Sequence, residues 1–140
     1  MSDRDELTAL VHSYARMLDG GDIDGVVALF EHSTWRSLPD GSVLRGAEAV
    51  RPVYEELLSR EGASHTKHLI TNLTVTVAPG ATTASSHCYW TVLEGTPGGT
   101  IGIAVSGQYT DAFEKVGGRW RFADRLITVD LTGPQSPATR

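Results

Sequence analysis

Near Ser64 the apolar residues change their period, and that change limits what the chain can fold into more than any other feature. Upstream, apolar side chains recur every three or four residues, the spacing of helices. Downstream they alternate, with β-branched and aromatic residues in four runs at roughly 65–78, 82–94, 100–115 and 119–131, the spacing of strands. The breaks Pro79-Gly80, Gly95-Thr96-Pro97-Gly98-Gly99 and Gly117-Gly118 are short and rich in turn residues, so neighbouring runs should pair antiparallel. Helices followed by a meander of strands is the α+β arrangement, in which a sheet buries one face under helices.

Ser2 and Asp5 have the spacing of a capping box, and Leu7, Leu10, Val11, Tyr14, Met17 and Leu18 then form one helical stripe. Gly20-Gly21 ends that helix. Asp22 caps a short second one, with Ile23, Val26, Val27 and Phe30 on its apolar face. Ser33 to Leu38 reads as a short strand and Pro39-Asp40-Gly41 as a turn. A third helix follows Gly46, with Val50, Val53, Tyr54, Leu57 and Leu58 on one face. Pro52 lacks a backbone donor, which moves the expected start toward Arg51, where proline is tolerated in the first turn. We expect one domain over residues 1–131. Residues 132–140, without apolar period, should form a flexible tail.

The 140 residues are 40% hydrophobic and 21% charged, suited to a single globular core. Twelve basic and 17 acidic side chains leave a charge of −5, and neither sign forms a block. A basic stripe of the kind that displaces counterions from phosphates is missing, so no nucleic-acid partner is expected. No apolar run approaches the roughly 20 residues of a membrane span. The N-terminal Met-Ser-Asp-Arg-Asp-Glu lacks the regions of a secretory signal, so the expected compartment is cytoplasmic, with no membrane partner. Cys88 is the single cysteine and is expected to be a small buried hydrophobe.

Four short patterns occur in order along this frame. They are Tyr14-x4-Asp19-Gly-Gly-Asp, His65-Thr-Lys-His68-x3-Asn72, Gly107-x-Tyr109-x-Asp111 and Gly118-Arg-Trp120-Arg-Phe-x-x-Arg125. With the order of elements, they resemble the SnoaL-like, nuclear transport factor 2-like superfamily across nearly the whole chain. The resemblance implies a cone-shaped α+β fold in which three N-terminal helices pack on a curved antiparallel sheet and enclose a pocket.

Within that superfamily, Tyr14, Asp19 and His68 look most like the branch of scytalone dehydratase, bile-acid dehydratase and hexachlorocyclohexane dehydrochlorinase. Those enzymes eliminate water or HCl with a histidine paired to an aspartate and use no metal or organic cofactor. The resemblance therefore implies His68 as base, Asp19 as its partner, Tyr14 as a donor at the pocket and Arg125 near the leaving group. A ketosteroid-isomerase type of site is disfavoured, because Ser33-Thr-Trp35-Arg36-Ser lacks the aspartate that such enzymes carry on the first short strand. Nor is there a convincing aspartate-arginine-aspartate relay of the limonene epoxide hydrolase kind.

Chemistry leaves two readings open for each of these residues. A neutral imidazole can accept a proton near neutral pH, and an adjacent carboxylate can fix its tautomer. Asp19 could instead bond the backbone donors of its own turn, and His68 could be an ordinary sheet histidine. Tyr14 belongs to the core stripe of the first helix but, if buried, its phenol needs a partner. Arg125 serves either the chemistry or an ion pair with Asp111 across adjacent strands. Trp35, Tyr54 and Trp90 are candidates for an aromatic lining or for plain core. Asn72 is a further substrate-binding candidate, with bonding inside the sheet as the simpler use. No metal site is expected, since His65 and His68 point to opposite faces of a strand.

Two features concern the sheet itself. After Asn72 the apolar parity switches to Leu73, Val75 and Val77, which either a β-bulge near Thr71 to Leu73 or cover of the second face by a partner subunit would explain. On the next run both faces carry apolar residues, Cys88 and Trp90 on one and Tyr89 and Leu93 on the other. Coverage of the open face by a second copy is therefore expected, making the partners a homodimer mate and a small apolar molecule. The functional expectation is a lyase acting on a small, largely apolar, cyclic molecule. An isomerase, a polyketide-type cyclase and a non-catalytic binding module are the alternatives.

Overall fold

The computed structural model describes residues 1–38, 40–61, 65–95 and 98–133. It has an α+β fold with helices on one face of a curved six-stranded sheet. Helix α1, Asp3–Asp19, starts at a capping box. The Ser2 hydroxyl accepts from the Asp5 amide at 3.1 Å, and the Asp5 carboxylate accepts from the Ser2 amide at 3.3 Å. Leu7, Val11, Tyr14 and Leu18 form its buried face. Its first turn is tied to the far end of the sheet, where Asp3 accepts from the Trp120 indole and the Lys115 ammonium, both at 2.9 Å. Helix α2, Ile23–Ala28, follows a corner at Gly21, whose φ of 76° suits glycine, and Asp22 caps it by accepting from the Gly25 amide.

The single strand expected over 33–38 is one arm of a hairpin, β1 Thr34–Ser37 and β2 Ser42–Arg45. Pro39 of its turn lies outside the described residues. Helix α3, Ala47–Glu61, begins directly after Gly46 rather than near Arg51, and Pro52 sits inside it. Pro52 is exposed, so the carbonyl that loses its donor can turn to water and the helix continues.

The four long strands are β3 Thr66–Thr76, β4 Thr83–Gly95, β5 Ile101–Val116 and β6 Arg119–Thr132. They form the expected antiparallel meander, in the sheet order β2-β1-β6-β5-β4-β3. The sheet is not wholly antiparallel, however, because β1 pairs parallel with β6. No tight turn joins these two, so nothing forces opposite directions on them.

Bulges interrupt the pairing at Thr71/Thr74, Val92/Leu93, Ser106/Gly107 and Ala112/Phe113, each bending the strand that carries it. The first lies where the apolar parity switches, with Asn72 at a φ of 55°. The chain is still ordered past residue 131. Strand β6 includes Thr132, and the Gly133 amide donates to the Ala104 carbonyl at 2.7 Å. The remainder of the expected tail, 134–140, lies outside the described residues.

Phe30, Phe113, Phe122, Leu7 and Val11 fill the core, and Cys88 is buried there, its thiol pushed up to about 11 by burial. Among the described residues, no helix is long and apolar enough to cross a membrane.

Candidate active site

The concave face of the sheet does not close fully on the helices. Between them lies a cavity of about 620 Å³, walled by Tyr14 and Leu18 of α1, Val53, Tyr54 and Leu57 of α3, Trp35 and Ser37 of β1, and side chains from β3 to β6. Alternation along the strands determines which residues reach it. On β4 Trp90 and Val92 face inward, on β5 Val105 and Tyr109, on β6 Ile127 and Val129, and on β3 His68. Trp90 lies opposite Gly107, where a Cβ would fall 2.8 Å from the indole Cζ2. The missing side chain therefore makes room for the ring.

Asp19 and His68 meet at one end of this cavity. The helix α1 terminus brings the Asp19 carboxylate against the free edge of β3, where it accepts from the His68 amide at 2.8 and 3.0 Å and contacts ring Nδ1 at 2.6 Å. An ionised carboxylate only accepts, so Nδ1 carries the hydrogen and the neutral imidazole has its lone pair on Nε2. His68 lines the cavity. Asp19 stands behind it and faces a second cleft of about 450 Å³ that His65, Lys67 and Ile101 also line.

Tyr14, Tyr54 and Trp35 form a second polar group on the wall. The Trp35 indole donates to the Tyr54 hydroxyl at 3.1 Å, and the Tyr54 and Tyr14 hydroxyls are 3.0 Å apart. The Tyr14 hydroxyl also bonds that of Tyr109, so two phenolic hydrogens serve the bonds among the three tyrosines and the third is left for a ligand. Burial holds the Tyr14 and Tyr54 phenols well above the ordinary tyrosine range. The Trp90 indole stacks on Tyr109, with centroids 5.5 Å apart, and its Nε1 is buried with no hydrogen-bond partner among the described residues. Asp40 and Glu56 are also on the lining, and no Lys or Arg is found there among the described residues.

Arg125 is not on the cavity surface, contrary to the expectation of a leaving-group role. It is fully buried, and its guanidinium forms a two-point bond to Asp111 at 2.8 and 3.0 Å, the cross-strand ion pair that was its other reading. Asn72 is likewise absent from the cavity. It is exposed, with a left-handed backbone at the bulge, so its place is in the bend of the sheet and off this cavity. Sequence reasoning missed Tyr109, although its parity with Gly107 and Asp111 on β5 was a readable signal. Among the described residues, no cluster of three or more His, Cys, Asp or Glu side chains could hold a metal ion.

Comparison with known proteins matches residues 1–126 to the family model of the SnoaL-like domain. No curated protein sequence matches the chain. Among solved structures, Aln2 from a Streptomyces species is similar at 26% identity and a TM-score of 0.79, over 93% of this chain and 94% of that one. A Novosphingobium aromaticivorans protein described as a proposed scytalone dehydratase is similar at 22% identity and a TM-score of 0.75, over 99% and 94%. A Streptomyces avermitilis protein described as a proposed dehydratase of the NTF2-like family is similar at 16% identity and a TM-score of 0.75, over 93% and 97%. At the identities of the last two, the likeness concerns the fold.

Proposed function

The chain belongs to the SnoaL-like family, and we propose that it is a lyase that removes water or a related leaving group from a small, uncharged, largely apolar cyclic substrate. The observation that carries this reading is the 2.6 Å contact between Asp19 and the Nδ1 of a cavity-lining His68. With Nδ1 occupied, Nε2 is the atom that takes a proton from a substrate carbon, and Asp19 stabilises the imidazolium that results. The hydroxyl of the Tyr54, Tyr14 and Tyr109 chain that keeps a free hydrogen donates it to the oxygen on which negative charge develops, an arrangement worth about 3 kcal/mol where it has been dissected. Aromatic walls and the absence of lining cations among the described residues favour an uncharged ring. As the family resemblance implies, the chemistry requires no metal or organic cofactor.

An isomerase or polyketide-type cyclase would begin with the same proton abstraction. A binding module would use the cavity without the dyad. Nitrogen NMR of 15N-histidine protein separates the last reading. The enzyme reading expects His68 to be the Nδ1–H tautomer and Asp19→Asn to change that population. It also expects His68→Gln to lower elimination of cyclic β-hydroxy ketones at least about a hundredfold. A His68 tautomer indifferent to Asp19→Asn, or turnover that survives His68→Gln, would move the assignment to a binding module.

A further inference from the structure

Arg125 lies one layer behind the cavity. Its Nε and Nη2 are bonded to Asp111, while Nη1 has no hydrogen-bond partner among the described residues. Aromatic rings surround the cation instead. The guanidinium Cζ is 3.9 Å from the ring centroid of Tyr109 and 4.3 Å from that of Tyr14, with Phe122 at 5.0 Å and Phe30 at 5.5 Å. The two nearest rings line the cavity on their other side. A planar cation held by a bidentate carboxylate is a fixed object, and rings attracted to its faces take their orientation from it.

We infer that Arg125 is a positioning residue, which holds the rings of Tyr14 and Tyr109 from behind so that their hydroxyls stand at fixed points in the cavity. Asp111 is its buried counter-ion and maintains the plane of the guanidinium. The positive charge beneath the rings also draws electron density from the phenols and makes each a stronger donor. This inference rests on the proposed function only in treating the linked hydroxyls of Tyr14 and Tyr109 as part of the donor group for substrate.

Aromatic NMR of protein carrying 13C-tyrosine and 13C-phenylalanine tests it without a substrate. The chain has four tyrosines, so each ring is assignable. In the wild type, Tyr14 and Tyr109 should flip slowly and show separate signals for the two edges of each ring. In the doubly neutralised Arg125→Met/Asp111→Leu protein, which keeps the core apolar where Arg125→Met alone could unfold it, both should flip about tenfold faster or more. Their Cζ shifts should move as well, and Arg125→Lys should restore the shifts but not the slow flipping. Tyr14 and Tyr109 signals superimposable on the wild type in a folded double variant would overturn the inference. Equal acceleration at Phe113, which is not among the rings that face the cation in the described residues, would also overturn it by reducing Arg125 to packing. The His68 tautomer in the same samples reports on the dyad separately, so failure of one reading is distinguishable from failure of the other.

Discussion

The Asp19 carboxylate meets His68 twice, accepting from its backbone amide at 2.8 Å and from ring Nδ1 at 2.6 Å. A single side chain thus orients an imidazole and satisfies an amide on the edge strand β3. Asp19→Ala leaves that part-buried amide without its acceptor and should lower the unfolding free energy by about 1–3 kcal/mol. Asp19→Asn retains an acceptor oxygen and should lose less. Urea titration of the two variants checks the order, and equal losses would count against the amide's share.

Removing one member of the Asp111–Arg125 pair strands a charge in the core. Burial pushes the Asp111 carboxyl upward against the pull of the guanidinium, so the pair is held by its geometry and not by an easy environment. Asp111→Leu alone should cost about 3–5 kcal/mol, and adding Arg125→Met should recover most of that. A double-mutant cycle by thermal unfolding measures the difference.

Gly107 sits where the sheet has no room for a side chain. A Cβ there would collide with the Thr128 carbonyl oxygen, well inside van der Waals contact, and would also crowd the Trp90 indole. Gly107→Ala should destabilise by about 1–3 kcal/mol or more. Because Trp90 lines the cavity, ligand capacity should fall with it. Denaturation, together with titration of a hydrophobic dye into the cavity, tests both parts.

The buried phenols set an alkaline limit. Burial raises Tyr14, Tyr54 and Tyr109. The folded chain therefore keeps protons that the unfolded chain releases above about pH 10. Stability should be fully present below that pH and fall as pH rises beyond it, by up to ~1.4 kcal/mol per pH unit for each phenol. Urea midpoints across the alkaline range give the slope, and Tyr109→Phe should reduce it by about a third.

The outer face of the sheet carries Leu69, Tyr89 and Ile103, which are 39%, 44% and 58% exposed. We propose that a second copy covers it. Tyr89→Lys should shift light-scattering mass from dimer to monomer without loss of fold, and a wild type already monomeric at high concentration would refute the proposal.

The three helices and the meander of four long strands, the capping box, a bulge near Asn72 and the shared face of Cys88 and Trp90 were legible in the sequence. Each depends on residues within a turn or a strand of one another, where backbone geometry alone decides the outcome. The two elements misread, the β1–β2 hairpin and the start of α3, depend on how a neighbouring strand and an exposed proline are accommodated. Only the tertiary structure brought Asp19 to His68 across 49 residues, set β1 parallel beside β6, and placed Tyr109 in the cavity wall with Arg125 behind it. Depth relative to a cavity depends on how layers pack and where bulges bend the sheet, so it is a property of the assembled fold and not of any local stretch of chain.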